Sequence, residues 1–115
     1  MPLLMLHTSS PVSEDQREAL LRELSMIVAQ TIGKPEKYVM ATLAPASMLM
    51  SGTGGPSALV EVRSIGGLSA GVNGTLSRKI SAALSAALGI AQDRIYLNFS
   101  DMAPEDWGWN SKTFG

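Results

Sequence analysis

An internal repeat constrains this chain more than any other feature. Residues 27–44, IVAQTIGKPEKYVMATLA, run parallel in pattern to residues 82–100, AALSAALGIAQDRIYLNFS, with Gly33 falling over Gly89. In each copy a helical stripe ends at a glycine, a few mostly polar residues follow, and an apolar run begins. An apolar run also precedes each helix, Leu3–Leu6 in the first copy and Ala58–Ile65 in the second. Two copies are too few for a solenoid, so the pattern predicts one β-α-β unit built twice. Right-handed crossovers then place both helices on one face of a four-stranded mixed sheet, an α+β (α/β) fold. With 115 residues, the chain 1–115 is long enough for one domain with a real core and too short for two.

Local signals fix the helix ends. Ser13 and Gln16 form an S-x-x-Q capping box, and Leu20, Leu24, Ile27, Val28 and Thr31 recur at helical spacing up to Gly33. The second helix opens near Ser69 and sets Leu76, Ile80, Ala83, Leu84, Ala87 and Leu88 on one stripe before Gly89.

The sheet face away from the helices is informative. In the last strand Ile95, Leu97 and Phe99 point one way and Tyr96, Asn98 and Ser100 the other. Met40, Thr42, Ala44, Leu59, Glu61 and Arg63 occupy comparable positions on the other strands. Such a face is too apolar for a solvated sheet and too polar for a core. A subunit interface suits it, so a homo-oligomer is expected.

Several function classes are excluded on composition. A net charge of -1 offers no basic field for a nucleic-acid backbone. Zero cysteines remove disulfides, thiolate catalysis and Cys-built zinc sites, and one histidine, His7, cannot build a multi-histidine metal site. No apolar run approaches the roughly 20 residues needed to span a bilayer, so no membrane partner is expected. The opening MPLLMLHTSS lacks the basic region and small-residue cleavage site of a secretory signal, so a cytoplasmic location is expected.

The apparent motifs are mostly bland. SGTGGPS (51–57) lacks the Lys-Ser/Thr of a P-loop and reads as a flexible connection between strands. GGLSAGVNG (66–74) follows a strand and opens a helix, but its glycine spacing is not that of a dinucleotide fingerprint. Glu14-Asp15 and Glu105-Asp106 read as solvated, His7 as a hydrogen-bonded structural histidine, and the seven methionines as core filler. Two features resist. Pro2 follows the initiator, and a small residue there permits removal of Met1, which exposes a secondary amine. Lys34 stands just where the first helix ends, and alone it reads as an ordinary helix-end lysine.

Together Pro2, AQTIGKPEKY (29–38), SIGGLS (64–69), DRIYLNFSDM (93–102) and GWNSKTFG (108–115) resemble the macrophage migration inhibitory factor family of the tautomerase superfamily. The likeness covers nearly the whole chain in order and spacing. It implies a homotrimer with the sheets lining its interior, and a keto-enol tautomerase for small α-keto acids of the phenylpyruvate type, with dopachrome isomerisation as a further activity. It also implies that Pro2 is the catalytic acid and base, that Lys34 holds the substrate carboxylate, and that Ile65 contributes a backbone amide. Tyr96 and Asn98 would reach in from the neighbouring subunit, and Tyr38, Trp109 and Phe114 would form an aromatic wall. No metal or organic cofactor is implied.

Physical chemistry agrees with these roles. A base working at neutral pH needs a pKa near or below 7, and a free α-amine titrates near ~8. An apolar pocket and a nearby lysine both penalise the ammonium form. The chain also departs from the family. The Cys-x-x-Cys of mammalian-type members falls on Ser57 and Val60, which removes thiol-disulfide chemistry. Trp107 replaces a small aliphatic residue, which bears on pocket width. The alternative reading is a cytokine-like binding protein with a vestigial pocket.

Overall fold

A computed structural model describes residues 1–115. Four strands, β1 (Pro2–Thr8), β2 (Met40–Pro45), β3 (Ala58–Ser64) and β4 (Ile95–Asp101), form one sheet in the order β2-β1-β3-β4. β1 runs parallel to β2 and β3 parallel to β4, while β1 and β3 are antiparallel. Helix α1 (Glu14–Ile32) links the first parallel pair and α2 (Ala70–Leu88) the second, as the repeat predicts.

Both helices start and stop where their sequence signals place them. The Ser13 side chain accepts from the Gln16 amide and Gln16 returns the contact to the Ser13 backbone, completing the capping box. Glu14 and Asp15 add negative charge at the positive end of the helix. Gly33 (φ 81°) and Gly89 (φ 68°) take the left-handed conformation that ends each helix.

Fifteen buried side chains, from both helices, one face of the sheet and Ile90 just after α2, make a single core. Burying each Leu, Ile or Val contributes about 1.5–3 kcal/mol, so this core holds the fold without disulfide or metal. Along α1 the buried residues are Leu20, Leu24, Val28, Ala29 and Ile32; Ile27 is only partly buried, and the Thr31 hydroxyl is buried without a partner.

No methionine belongs to this core, contrary to the core-filler expectation. Leu, Ile and Val fill it, and the flexible thioethers lie on the helix surface, in loops and on the open sheet face. That face consists of three cross-strand rows: Met40, Leu3, Arg63, Ser100; Thr42, Met5, Glu61, Asn98; and Ala44, His7, Leu59, Tyr96. Met40 is 63% exposed and Tyr96 66%, so nothing within one chain covers it.

Two further expectations are corrected. The 51–57 connection is not loose, because the Arg94 guanidinium donates to the carbonyl oxygens of Met50, Thr53, Gly54 and Pro56 and to the hydroxyls of Thr53 and Ser57. His7 is not hydrogen-bonded through Nδ1, which is buried without a partner. Its strand neighbours Ala44 and Leu59 have no side-chain polar group to offer it. The paired acids Glu14-Asp15 and Glu105-Asp106 are exposed, as expected.

Candidate functional site

The site forms where the end of α1, the start of β1 and the turn after β3 meet. Beyond Gly33, the Lys34 amide donates back to the Ala29 carbonyl at 3.0 Å, fixing the backbone from which the lysine side chain departs. Lys34 Nζ then donates to the Ile65 carbonyl oxygen at 3.2 Å. The turn holding Ile65 is itself braced, since Ser64 Oγ donates to the Gly66 carbonyl at 2.7 Å and the Gly66 amide donates to Asp101 Oδ1 at 2.9 Å.

Gly67 lets the lysine stem lie close. Its φ is +82°, and a Cβ there would meet Ile32 Cγ2 at 2.7 Å and Lys34 Cε at 3.6 Å. Both the backbone conformation and the space therefore require glycine.

Pro2 opens β1, pairing with Ser64 of β3 just ahead of the first β2 partner. Having no N–H, proline suits that terminal position in a central strand. Pro2 is buried on the helix side of the sheet, with its nitrogen bonded to Met1. The Met1 α-amine titrates below its usual 8.0, first because burial disfavours the ammonium and second because Lys34 repels it.

A cavity of about 460 Å³ is walled by Met1, Lys34, Pro35, Tyr38, Ile65, Pro104, Trp109 and Phe114. A second, of about 380 Å³, is walled by Pro2, Leu3, Lys37, Val39, Met40, Trp107 and Gly108, together with Met1, Tyr38 and Trp109, which belong to both. The aromatic wall is ordered: Tyr38 meets Trp109 edge-on at 6.1 Å and 85°, and Trp109 stacks on Phe114 at 6.1 Å and 10°. A short hairpin, β5 (Gly108–Trp109) and β6 (Lys112–Thr113), carries it, and the Phe114 amide donates to the Trp107 carbonyl at 3.1 Å.

One chain thus brings together Lys34, Ile65, Tyr38, Trp109 and Phe114 around one cavity, with Pro2 at its border. It does not bring Tyr96 and Asn98 there. Both lie on edge strand β4, on the open face, and Tyr96 instead lines a different cavity with His7 and Leu59. The Ile65 group seen engaged is its carbonyl rather than its amide. Sequence reading did not single out Pro35 and Pro104 as wall residues, nor the hairpin. The hairpin's one signal was Asn110-Ser111, both at positive φ in a tight two-residue turn.

The sequence profile described as macrophage migration inhibitory factor (MIF) matches residues 1–115. The chain belongs to the macrophage migration inhibitory factor family. Family proteins from Meriones unguiculatus and Rattus norvegicus are 37% and 36% identical over 115 residues, with 99% of each chain covered. A crystal structure of the family homologue from Prochlorococcus marinus shares 41% identity and a TM-score of 0.93, covering 98% of this chain and 99% of that one. The family structure from Toxoplasma gondii shares 32% identity and a TM-score of 0.94, covering 97% and 99%. The two-helix, four-stranded architecture is therefore the family's, within the tautomerase superfamily.

Proposed function

We propose that this chain is a keto-enol tautomerase for small 2-oxo acids of the phenylpyruvate type, working without cofactor as a homotrimer. The observation that carries this reading is a cavity walled by Lys34, Tyr38, Trp109 and Phe114 with the chain terminus in its wall, where burial and Lys34 disfavour the ammonium of Met1, one residue ahead of Pro2. Family membership supports tautomerase chemistry in general.

After removal of Met1, the Pro2 nitrogen becomes that terminal amine. Lys34 holds the substrate carboxylate, the Ile65 backbone lines the same wall, and the ring meets Tyr38, Trp109 and Phe114. The Pro2 lone pair takes a proton from the carbon next to the ketone. The C–H electrons form the carbon–carbon double bond, the carbonyl π electrons move to oxygen, and that oxygen gains a proton from water, leaving a hydroxide that the Pro2 ammonium neutralises as the free amine re-forms. In the reverse direction the Pro2 ammonium returns its proton to carbon. Base catalysis of this kind contributes about 10²- to 10⁴-fold.

The open face, whose mixed rows need a cover, supports an oligomer, and likeness to the family makes that oligomer a trimer. Tyr96 and Asn98 on that face are then offered to a neighbouring subunit's Pro2. The test is phenylpyruvate turnover by chains beginning at Pro2, beside Pro2→Gly and Pro2→Ala. A loss of tenfold or more in each, on the order of 1.4 kcal/mol, is expected. A folded trimer with no turnover at all would favour the cytokine-like binding protein with a vestigial pocket.

A further inference from the structure

The bond from Lys34 Nζ ends on a peptide unit that is held from its other side as well. That unit joins Ile65 to Gly66. Its oxygen accepts from Lys34 at 3.2 Å, and its N–H, the Gly66 amide, donates to Asp101 Oδ1 at 2.9 Å. No peptide bond in the chain is cis, so the C=O and N–H of this planar unit point in opposite directions. Turning one turns the other. Asp101 and Lys34 are thereby linked through a single rigid group.

The neighbouring peptide units have anchors of their own. The Ser64 carbonyl oxygen accepts from the Met102 amide at 2.9 Å, and the Gly66 carbonyl oxygen accepts from Ser64 Oγ at 2.7 Å. The unit between them has Asp101 instead. Gly66 follows that unit at φ +70°, and glycine passes between positive and negative φ at little steric cost. Without the Asp101 bond the unit is therefore able to flip, which turns the Ile65 oxygen away and presents the Gly66 N–H to the Lys34 ammonium. Two donors would then face each other.

Asp101 is placed for this task. It ends β4 on the side of Leu97 and Phe99, which pack on the core, and so lies away from the open face. The ion pairs in the chain are Arg22 with Glu18 and Arg63 with Glu61, so no cation competes for its carboxylate. A carboxylate that accepts a peptide N–H also draws negative charge toward the oxygen of the same unit, which strengthens that oxygen as the acceptor for Lys34. Lys34 has three N–H donors, and one spent on Ile65 leaves two for an anion.

We infer that Asp101 is a positioning residue for substrate binding: through the Ile65–Gly66 peptide it fixes the direction of the Ile65 carbonyl and so holds Lys34 at the cavity wall. This rests on Lys34 holding the substrate carboxylate, as proposed above. Asp101 is exposed, so its effect on KM is about three- to tenfold, less than that of removing Lys34 itself.

The test is a double-mutant cycle in chains beginning at Pro2. Asp101→Ala should raise KM for phenylpyruvate about three- to tenfold, and KM for its uncharged methyl ester by no more than about twofold. Asp101→Asn keeps an acceptor oxygen in the same place and should recover most of the loss. In a Lys34→Ala background the Asp101→Ala change should cost nothing further, because the cation it positions is gone. A residue that merely braces the turn would act equally with and without Lys34, and equally on acid and ester. Either result overturns the inference, as does an unchanged KM in Asp101→Ala or a loss in Asp101→Asn as large as in Asp101→Ala. If phenylpyruvate is not turned over even by the wild type, only the tautomerase reading fails. Calorimetry with 3-phenylpropionate then runs the same cycle on binding. A weakening by Asp101→Ala that vanishes in the Lys34→Ala background supports the role of Asp101, and one that persists there, or none at all, overturns it.

Discussion

Lys34 Nζ donates a 3.2 Å hydrogen bond to the carbonyl oxygen of Ile65, tying the end of α1 to the turn after β3. That bond holds a cation at the cavity wall without neutralising it, which leaves the charge available to a carboxylate. A clamp used in both ground and transition states mainly raises KM when removed. Lys34→Ala should therefore raise KM for phenylpyruvate about tenfold or more, and far less for a ketone lacking the carboxylate. Equal losses on both substrates would assign Lys34 to tuning the amine alone.

The pH dependence follows from the same lysine. Burial is the larger cause of the lowered α-amine pKa and Lys34 the smaller, and both disfavour the ammonium. The free base thus persists to lower pH than in an ordinary terminus. Once Met1 is removed the Pro2 amine takes over these surroundings, so in Pro2-terminated protein kcat/KM should fall as pH drops through an acid limb lying below that of an exposed terminal proline. In Lys34→Ala the limb should move up only part of the way, because burial remains. A pH–rate profile of both proteins checks the direction.

Gly67 should tolerate no side chain. Gly67→Ala forces a left-handed alanine and a clash with Ile32 Cγ2 at 2.7 Å. Together these cost about 2–4 kcal/mol, read as a lowered denaturation midpoint. Turnover at a permissive temperature should also fall, since the Lys34 stem lies against the same position.

Assembly should be visible in mixing. Asn98 lies on the open face of β4, in the row with Glu61, Met5 and Thr42, and not beside Pro2 of its own chain. Pro2→Gly chains and Asn98→Ala chains, each impaired alone, should regain turnover when unfolded and refolded together, because some mixed trimers pair an intact Pro2 with an intact Asn98. No recovery in trimers shown to be mixed would contradict a shared site.

The repeat made the two β-α-β units, the helix limits and both glycine stops legible, because capping and periodicity are local signals. His7 was misread because a hydrogen-bond partner depends on which residues lie across the sheet, and Ala44 and Leu59 offer none. Arg94 was missed because its role is to bind carbonyl oxygens some 40 residues away, which no local pattern records. At the site, resemblance pointed to Tyr38, Trp109 and Phe114 as a wall, but their stacking needed the small hairpin, whose strands are too short to show a period. The methionines went wrong because hydrophobicity alone does not say whether a residue lies on the covered or the open side of a helix or sheet, or in a loop.

The proposed chemistry depends most on the state of the Pro2 nitrogen. With Met1 attached, that nitrogen is part of a tertiary amide whose lone pair is delocalised into the carbonyl, so it has little basicity. Met1 then also occupies the wall between the two cavities. The decisive measurement is phenylpyruvate turnover on preparations whose Met1 content is known from intact mass, spanning fully retained to fully removed. The account predicts turnover proportional to the fraction beginning at Pro2, with folding and assembly unchanged across the series. Full turnover in a preparation shown to carry Met1 would contradict it and remove Pro2 as the base.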